Sequence, residues 1–360
     1  MNKKLIALAV ASAFVAPVAM ADTSNVTISG QMHFSLDSLK GKNAAGTDLT
    51  NQWNVSTNAS FIQFAGTEDL GNGTSAVWKL KTYISAGGTG NSGDPYNLSA
   101  SDGFTNGPAY LGMSGKTWGT VLLGKNEAPM KVLGRKVDLF GNQIGDIRNL
   151  GLGFDNRPNN AIQYTSPSLS GFVLDAMYST NLITAAKTAT TDKSETMWSG
   201  TGIYTNGPIL VGLGYEKHNL SRLGTGLQDE KDWRLDGGYN FGAFKVVAMY
   251  EKVTDKSGAS GVHQHVWDLG GAYKMGNNTI KAQYAKISDL GSTSNTGANM
   301  WALGLDHMMS KRTTVYAAYA RTNNDTAASY SAFGAGHGDN PGTVAGKDPS
   351  GFSFGMIHNF

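Results

Sequence analysis

The 360-residue chain has 29 Lys and Arg against 27 Asp and Glu, and no cysteine. The near-neutral balance excludes a nucleic-acid binder, which needs a basic excess; the missing thiols exclude disulfide scaffolding and cysteine-based metal or nucleophilic chemistry. Forty-seven glycines accompany 14 Tyr, 14 Phe and 7 Trp, a profile suited to many strands, and beyond Val18 no apolar run approaches the ~18 residues of a spanning helix.

Lys3 and Lys4 open the chain, Leu5–Val18 is mostly apolar, and Ala19-Met20-Ala21 is an A-x-A cleavage site. Residues 1–21 therefore read as a cleaved secretory signal, and 22–360 as one domain. Losing Lys3 and Lys4 lowers the basic count from 29 to 27, equal to the acidic count.

From Val26 onward apolar and polar residues alternate: Val26, Ile28, Met32, Phe34 and Leu36 against Thr27, Ser29, Gln31, His33 and Ser35. Period two is a strand with one apolar face, and similar segments recur to the C-terminus. Seven tight connections separate them, from Gly71-Asn72-Gly73 to Ser310–Thr313, supplied with the Gly and Asn that short hairpins need. Eight long polar connections alternate with these, at roughly 38–57, 85–106, 126–158, 180–197, 217–230, 253–264, 288–297 and 322–350. Together they predict sixteen strands, with short turns on one rim and long loops on the other, which is the layout of an outer-membrane barrel.

Aromatic spacing agrees. Phe172/Tyr178, Trp198/Tyr204, Trp233/Tyr239, Phe244/Tyr250, Trp267/Tyr273 and Phe354/Phe360 are each six apart. An even spacing keeps both rings on one face, and six residues span ~20 Å, comparable with an apolar band ~25 Å tall edged by aromatic girdles. The opposite faces hold Lys79, Lys81, Asp175, Glu216, Arg234, Asp236, Glu251, Asp268, Lys281 and Gln283, with Tyr83 and Tyr110 expected to face inward too. Such a face suits a wet lumen too wide for side chains to fill.

The third long connection, 126–158, is unusual for its length. Val132, Leu133, Val137, Leu139, Phe140, Ile144, Ile147, Leu150 and Leu152 give it apolar surface to bury. It is expected to fold into the lumen as an ordered loop that narrows the channel.

Several segments carry a family resemblance. Gly66–Gly73, Tyr110–Gly115 with Gly119–Val121, Asn160–Gly171, Leu303–Tyr316 and the ending Gly355–Phe360 resemble the Gram-negative general porins of the beta-proteobacterial and neisserial type. The first of them is similar to that family's first periplasmic turn and the second to its next hairpin; the others match later segments. The resemblance implies an all-β, 16-stranded antiparallel transmembrane barrel in the outer membrane, passing ions and small hydrophilic solutes by passive diffusion. A channel specific for a sugar, phosphate or organic acid is the alternative; no catalytic, cofactor or metal constellation is found. Implied partners are two further copies in a homotrimer, outer-membrane lipids and lipopolysaccharide, and the barrel-insertion machinery, with Phe352, Phe354, Met356, His358 and Phe360 as the insertion signal. The chain departs from the family at Phe61 and Gly107, where members often have Arg.

A transverse field across the constriction follows from the charges available. Lys79, Lys81, Lys125, Arg135, Arg148 and Arg157 are the expected basic residues, and Glu127, Asp138 and Asp146 the expected acidic loop side. A cleft with low-dielectric walls focuses such a field, and charged rings set ion preference.

Overall fold

A computed structural model describes residues 25–42, 47–50, 53–84, 105–181, 195–223 and 226–360; the expected signal segment 1–21, and most of the connections at 85–106 and 180–197, lie outside them. Alternation of apolar and polar residues becomes strand throughout. β1 (Asn25–Lys42) is followed by a broken β2, whose three segments Asp48–Thr50, Asn54–Thr57 and Phe61–Gly71 all pair with β1. Next come β3 (Thr74–Tyr83), β4 (Ala109–Gly115), β5 (Gly119–Lys125), β6 (Asn159–Thr165), β7 (Phe172–Asn181), β8 (Met197–Asn206) and β9 (Ile209–His218). The second half is β10 (Glu230–Phe241), β11 (Phe244–Thr254), β12 (His263–Met275), β13 (Asn278–Ile287), β14 (Ala298–Met308), β15 (Thr313–Asn324) and β16 (Ser350–Asn359).

Every neighbour is antiparallel, and β16 returns to β1 in register from Gln31↔Asn359 to Lys40↔Ser350. With β2 taken as one interrupted strand, this is a closed 16-stranded barrel. Closure removes the free edges, and in lipid it satisfies every backbone group internally.

The connection expected over 38–57 is mostly strand: β1 runs to Lys42 and β2 starts at Asp48. The polar residues Ser56 and Thr57 within it are buried. Ser56 Oγ donates to Asp37, and Asn58 Nδ2 donates to Ser35 Oγ at 2.7 Å across the β1–β2 pair.

The outer surface is apolar and exposed, with Leu111, Leu123, Leu213, Leu235, Leu269 and Leu303 among its largest side chains. Girdle rings touch between strands: Tyr178–Trp198 at 4.4 Å, Tyr215–Trp233 at 4.5 Å and Phe244–Tyr273 at 4.3 Å between centroids. The inner face departs from a uniformly polar lining. On β11–β15, Val247, Met249, Val266, Met300, Ala302 and Ala320 point inward and are buried in one apolar cluster with Val137, Phe140, Ile144, Ile147 and Leu150 of the third loop. At these positions the strands are apolar on both faces, with lipid on one side and a packed loop on the other.

Candidate functional site

Residues 126–158 (loop L3) lie inside the barrel against the inward faces of β8–β15. The loop opens with a short helix, α1 (Pro129–Gly134); proline in its first turn presets φ and needs no backbone donor. Met130 N donates to Ser199 Oγ at 3.3 Å on β8. Gly212 and Gly214 on β9 have no side chain where Leu133 and Met130 sit, and Gly304 on β14 makes the same room for Phe140. Further along, Leu139 N donates to Gln283 Oε1 at 3.0 Å, and Lys281 Nζ donates to Leu139 O at 3.0 Å and Gln143 Oε1 at 2.9 Å. On the returning limb, Phe154 stacks on His218 with centroids 4.5 Å apart.

Arg234 is the deepest anchor. Its side chain is only 2% exposed. It donates to Met130 O at 2.8 Å, to Asp155 Oδ1 at 3.1 Å and to Glu251 Oε2 at 2.8 Å, joining both limbs of L3 to β10 and β11.

Residues 325–349 (loop L8) also enter the lumen, which sequence reasoning missed. Ala332 O accepts from Gly145 N at 2.9 Å, Ala335 O accepts from Arg148, and Phe333 joins the L3 apolar cluster. At its other end, His337 Nε2 lies 3.1 Å from Asp37 Oδ2 on β1, both fully buried, while Gly338 N donates to Asn58 Oδ1 at 2.9 Å on β2. L8 thus bridges the tip of L3 to the β1–β2 wall. The available signal was Phe333 and His337 in a connection otherwise rich in Gly, Ala and Asp. His337→Ala removes one end of this bridge and leaves Asp37 buried without its cationic partner, at a local cost of roughly 3–5 kcal/mol. Single-channel recording should then show a larger, noisier unitary conductance.

The expected site residues fall into separate groups. The first is a cationic cluster around Glu127. Glu127 Oε1 lies 2.9 Å from Arg157 Nη2 and 3.5 Å from Lys131 Nζ. Arg157 also donates to Tyr83 OH at 2.8 Å. Lys81 Nζ sits 3.5 Å over the Phe61 ring and 4.7 Å over Tyr83, and Lys79 Nζ is 5.8 Å from the Tyr110 ring. Burial would raise the Glu127 carboxyl, but Lys131 and Arg157 outweigh it and hold it at about 2. Burial pushes the Lys131 ammonium down to about 8, against the opposing pull of Glu127.

The second group is a quartet inside L3. Arg135 Nη1 is 3.2 Å from Asp146 Oδ2 and 3.6 Å from Asp138 Oδ2; Arg148 Nε donates to Asp146 Oδ1 at 2.9 Å. The two carboxylates are 1% and 0% exposed. Burial and the neighbouring Asp146 charge raise the Asp138 carboxyl, whereas Arg148 and Arg135 overcome burial and lower Asp146. Two cations and two carboxylates fold the loop on itself, so Asp138 and Asp146 are not presented on an open loop face. A buried carboxylate costs too much to remain unpaired. Glu127 likewise sits among the cations rather than opposite them.

Lys125 belongs to neither group. It ends β5 paired with Ala109, on the same strand parity as the outward-facing Leu111–Leu123 pair. Opposite the cationic wall, beneath L3, the inward faces of β9–β12 hold Glu216, Asp232, Asp236, Glu251 and Asp268. Phe352, Phe354 and Met356 are half exposed on the outer face of β16; His358 Nδ1 is 2.9 Å from Thr313 Oγ1.

The same barrel occurs in known proteins. Residues 7–327 match the Gram-negative porin family. An outer membrane porin protein of Bordetella pertussis is 30% identical over 284 residues, covering 71% of this chain and 70% of that one. The major outer membrane protein P.IB of Neisseria meningitidis is 27% identical over 276 residues, covering 73% and 74%. Among solved structures, an anion-selective porin from Comamonas acidovorans superposes with a TM-score of 0.75 at 27% identity, covering 94% of this chain and all of that one.

Proposed function

Because this chain belongs to the Gram-negative porin family, and so is an outer-membrane channel for passive diffusion rather than an enzyme, we propose that its constriction is cationic and favours small anions. One observation supports this above the others. Lys79, Lys81, Lys131 and Arg157 gather about a single carboxylate, Glu127, between the β3–β4 wall and the stem of L3. Positive charge in a narrow, low-dielectric passage raises the local concentration of anions. In this reading Asp138, Asp146, Arg135 and Arg148 keep the loop in shape and do not filter solutes.

Further parts of the reading concern the whole molecule. Residues 1–21 act as the export signal, the outward face of β16 serves as the insertion signal, and the channel works as a homotrimer. Planar-bilayer recording of the refolded protein in a potassium chloride gradient tests the main point. The reversal potential should have the sign of chloride preference, and a potassium-selective potential would overturn it.

The Lys131 ammonium gives this preference a pH dependence. Its proton is held below about pH 8 and lost above it, so the cluster loses one positive charge on the alkaline side. Chloride preference should therefore weaken between about pH 7 and pH 9, a unit either side of that value, and Lys131→Gln should reduce the size of the change.

A further inference from the structure

We propose that the constriction selects, among small anions, those that carry a flat aromatic ring, with Phe61 and Tyr110 as the residues that recognise it. The inference rests on the cationic reading of the constriction and adds a substrate class to it. Along the lumen wall of β2–β4, rings and cations alternate. Phe61 stands opposite Tyr83 and Lys79 opposite Tyr110, and Lys81 lies between these two levels on β3. At a rise of ~3.4 Å per residue the ring levels are roughly 13 Å apart.

Other rings in the lumen already have partners. Phe140 and Phe333 pack in the apolar cluster with L3, and Phe154 stacks on His218. Tyr316 OH lies 2.9 Å from His33 Nε2, and Tyr330 OH accepts from Gln264 at 2.9 Å. Tyr83 is buried and holds Arg157. Phe61 and Tyr110 differ, since both are only half-buried. The Tyr110 side chain makes neither a hydrogen bond nor a contact with another ring among the described residues; only Lys79 Nζ stands over it, 5.8 Å from the centroid. At Phe61, where family members often have Arg, a ring takes the place of a charge.

Lys79 and Lys81 form no ion pair among the described residues, so two ammonium groups and two half-buried rings line one wall of the passage. Their chemistry suits one kind of solute. The face of an aromatic ring is negative and its edge positive. A carboxylate or sulfonate therefore avoids the faces and goes to the lysines, while an arene attached to it packs on Tyr110 or Phe61 edge to face. The ammonium beside each ring also attracts the face of an incoming ring. Chloride uses the cations alone. An aromatic pair is worth roughly two- to tenfold in affinity, enough to favour entry while still allowing release, as conduction requires.

The test is block of single-channel current in potassium chloride by benzoate, cyclohexanecarboxylate, acetate and benzyl alcohol. It uses the refolded full-length protein and its Phe61→Leu/Tyr110→Leu variant. Benzoate should block at a concentration roughly two- to tenfold below that of cyclohexanecarboxylate. Acetate and benzyl alcohol should need far more, since one lacks the ring and the other the charge. Cyclohexanecarboxylate is the more apolar of the two ring acids, so hydrophobic burial alone gives the opposite order. In the variant the ratio of the two blocking concentrations should fall to about one. That ratio, taken within one channel, is insensitive to a change in total charge or pore width. Equal block by the two ring acids in the wild type would overturn the proposal, and so would a variant that keeps the wild-type ratio. The chloride reversal potential of the same channels reads the cationic constriction separately. Chloride preference without discrimination between the two acids would sink this inference and leave that reading intact, whereas a potassium-selective potential would overturn both.

Discussion

Arg234→Met should release L3 from the barrel wall and turn a quiet channel into a noisy one of higher conductance. The guanidinium is buried and reaches Asp155 and Met130 on the loop and Glu251 on the wall. Methionine fills much of the volume but leaves two carboxylates facing each other in a confined space. Removing one partner of a buried ion pair costs roughly 3–5 kcal/mol, and here that cost can be relieved by moving the loop. The measurement is single-channel noise and conductance, together with protease sensitivity of residues 126–158. Replacing Asp155 and Glu251 by Asn and Gln in the same variant should restore much of the quiet behaviour, because no charge is then stranded. Traces indistinguishable from wild type in the single variant would mean that the apolar seat at Gly212, Gly214 and Gly304 holds the loop unaided.

Neutralising Lys79, Lys81 and Arg157 together should bring the chloride-to-potassium permeability ratio down by about tenfold, since three of the four cations near Glu127 disappear while the carboxylate stays. Conductance in concentrated salt should change far less, because mobile ions screen fixed charge over ~3 Å at 1 M. Reversal potentials at low and high salt give both readings. Arg157 has a second task, since it bonds Tyr83 and Glu127 at once; Lys79→Gln/Lys81→Gln alone therefore separates a change in charge from a shift of the loop stem. If the double variant kept the wild-type reversal potential at low salt, the wall lysines would have no part in selection.

The two departures from the family arginines bear on the size of this effect. Phe61 offers its ring to Lys81 at 3.5 Å, so a position that could have added charge instead fixes the place of an existing one. Gly107 lies against the Lys81 backbone and side chain and leaves room for it.

The barrel was legible in the sequence because its physics is local. Period-two alternation, turn residues at fixed intervals and rings six apart each follow from a strand with lipid on one side and water on the other. The strand number, closure and outward aromatics needed no knowledge of which strand lies beside which. L3 was also legible, since a long connection carrying Leu133, Phe140, Ile144 and Leu150 must bury them somewhere.

What the chain order could not reveal was the pairing of charges across the lumen. Glu127 meets Arg157, Asp146 meets Arg135 and Arg148, Arg234 meets Asp155 and Glu251, and His337 meets Asp37 from the far end of the chain. A carboxylate in a loop reads the same whether it faces the channel or a buried guanidinium. Only the closed barrel, by fixing which inward positions share one space, decides which charges neutralise each other and which remain to meet a solute.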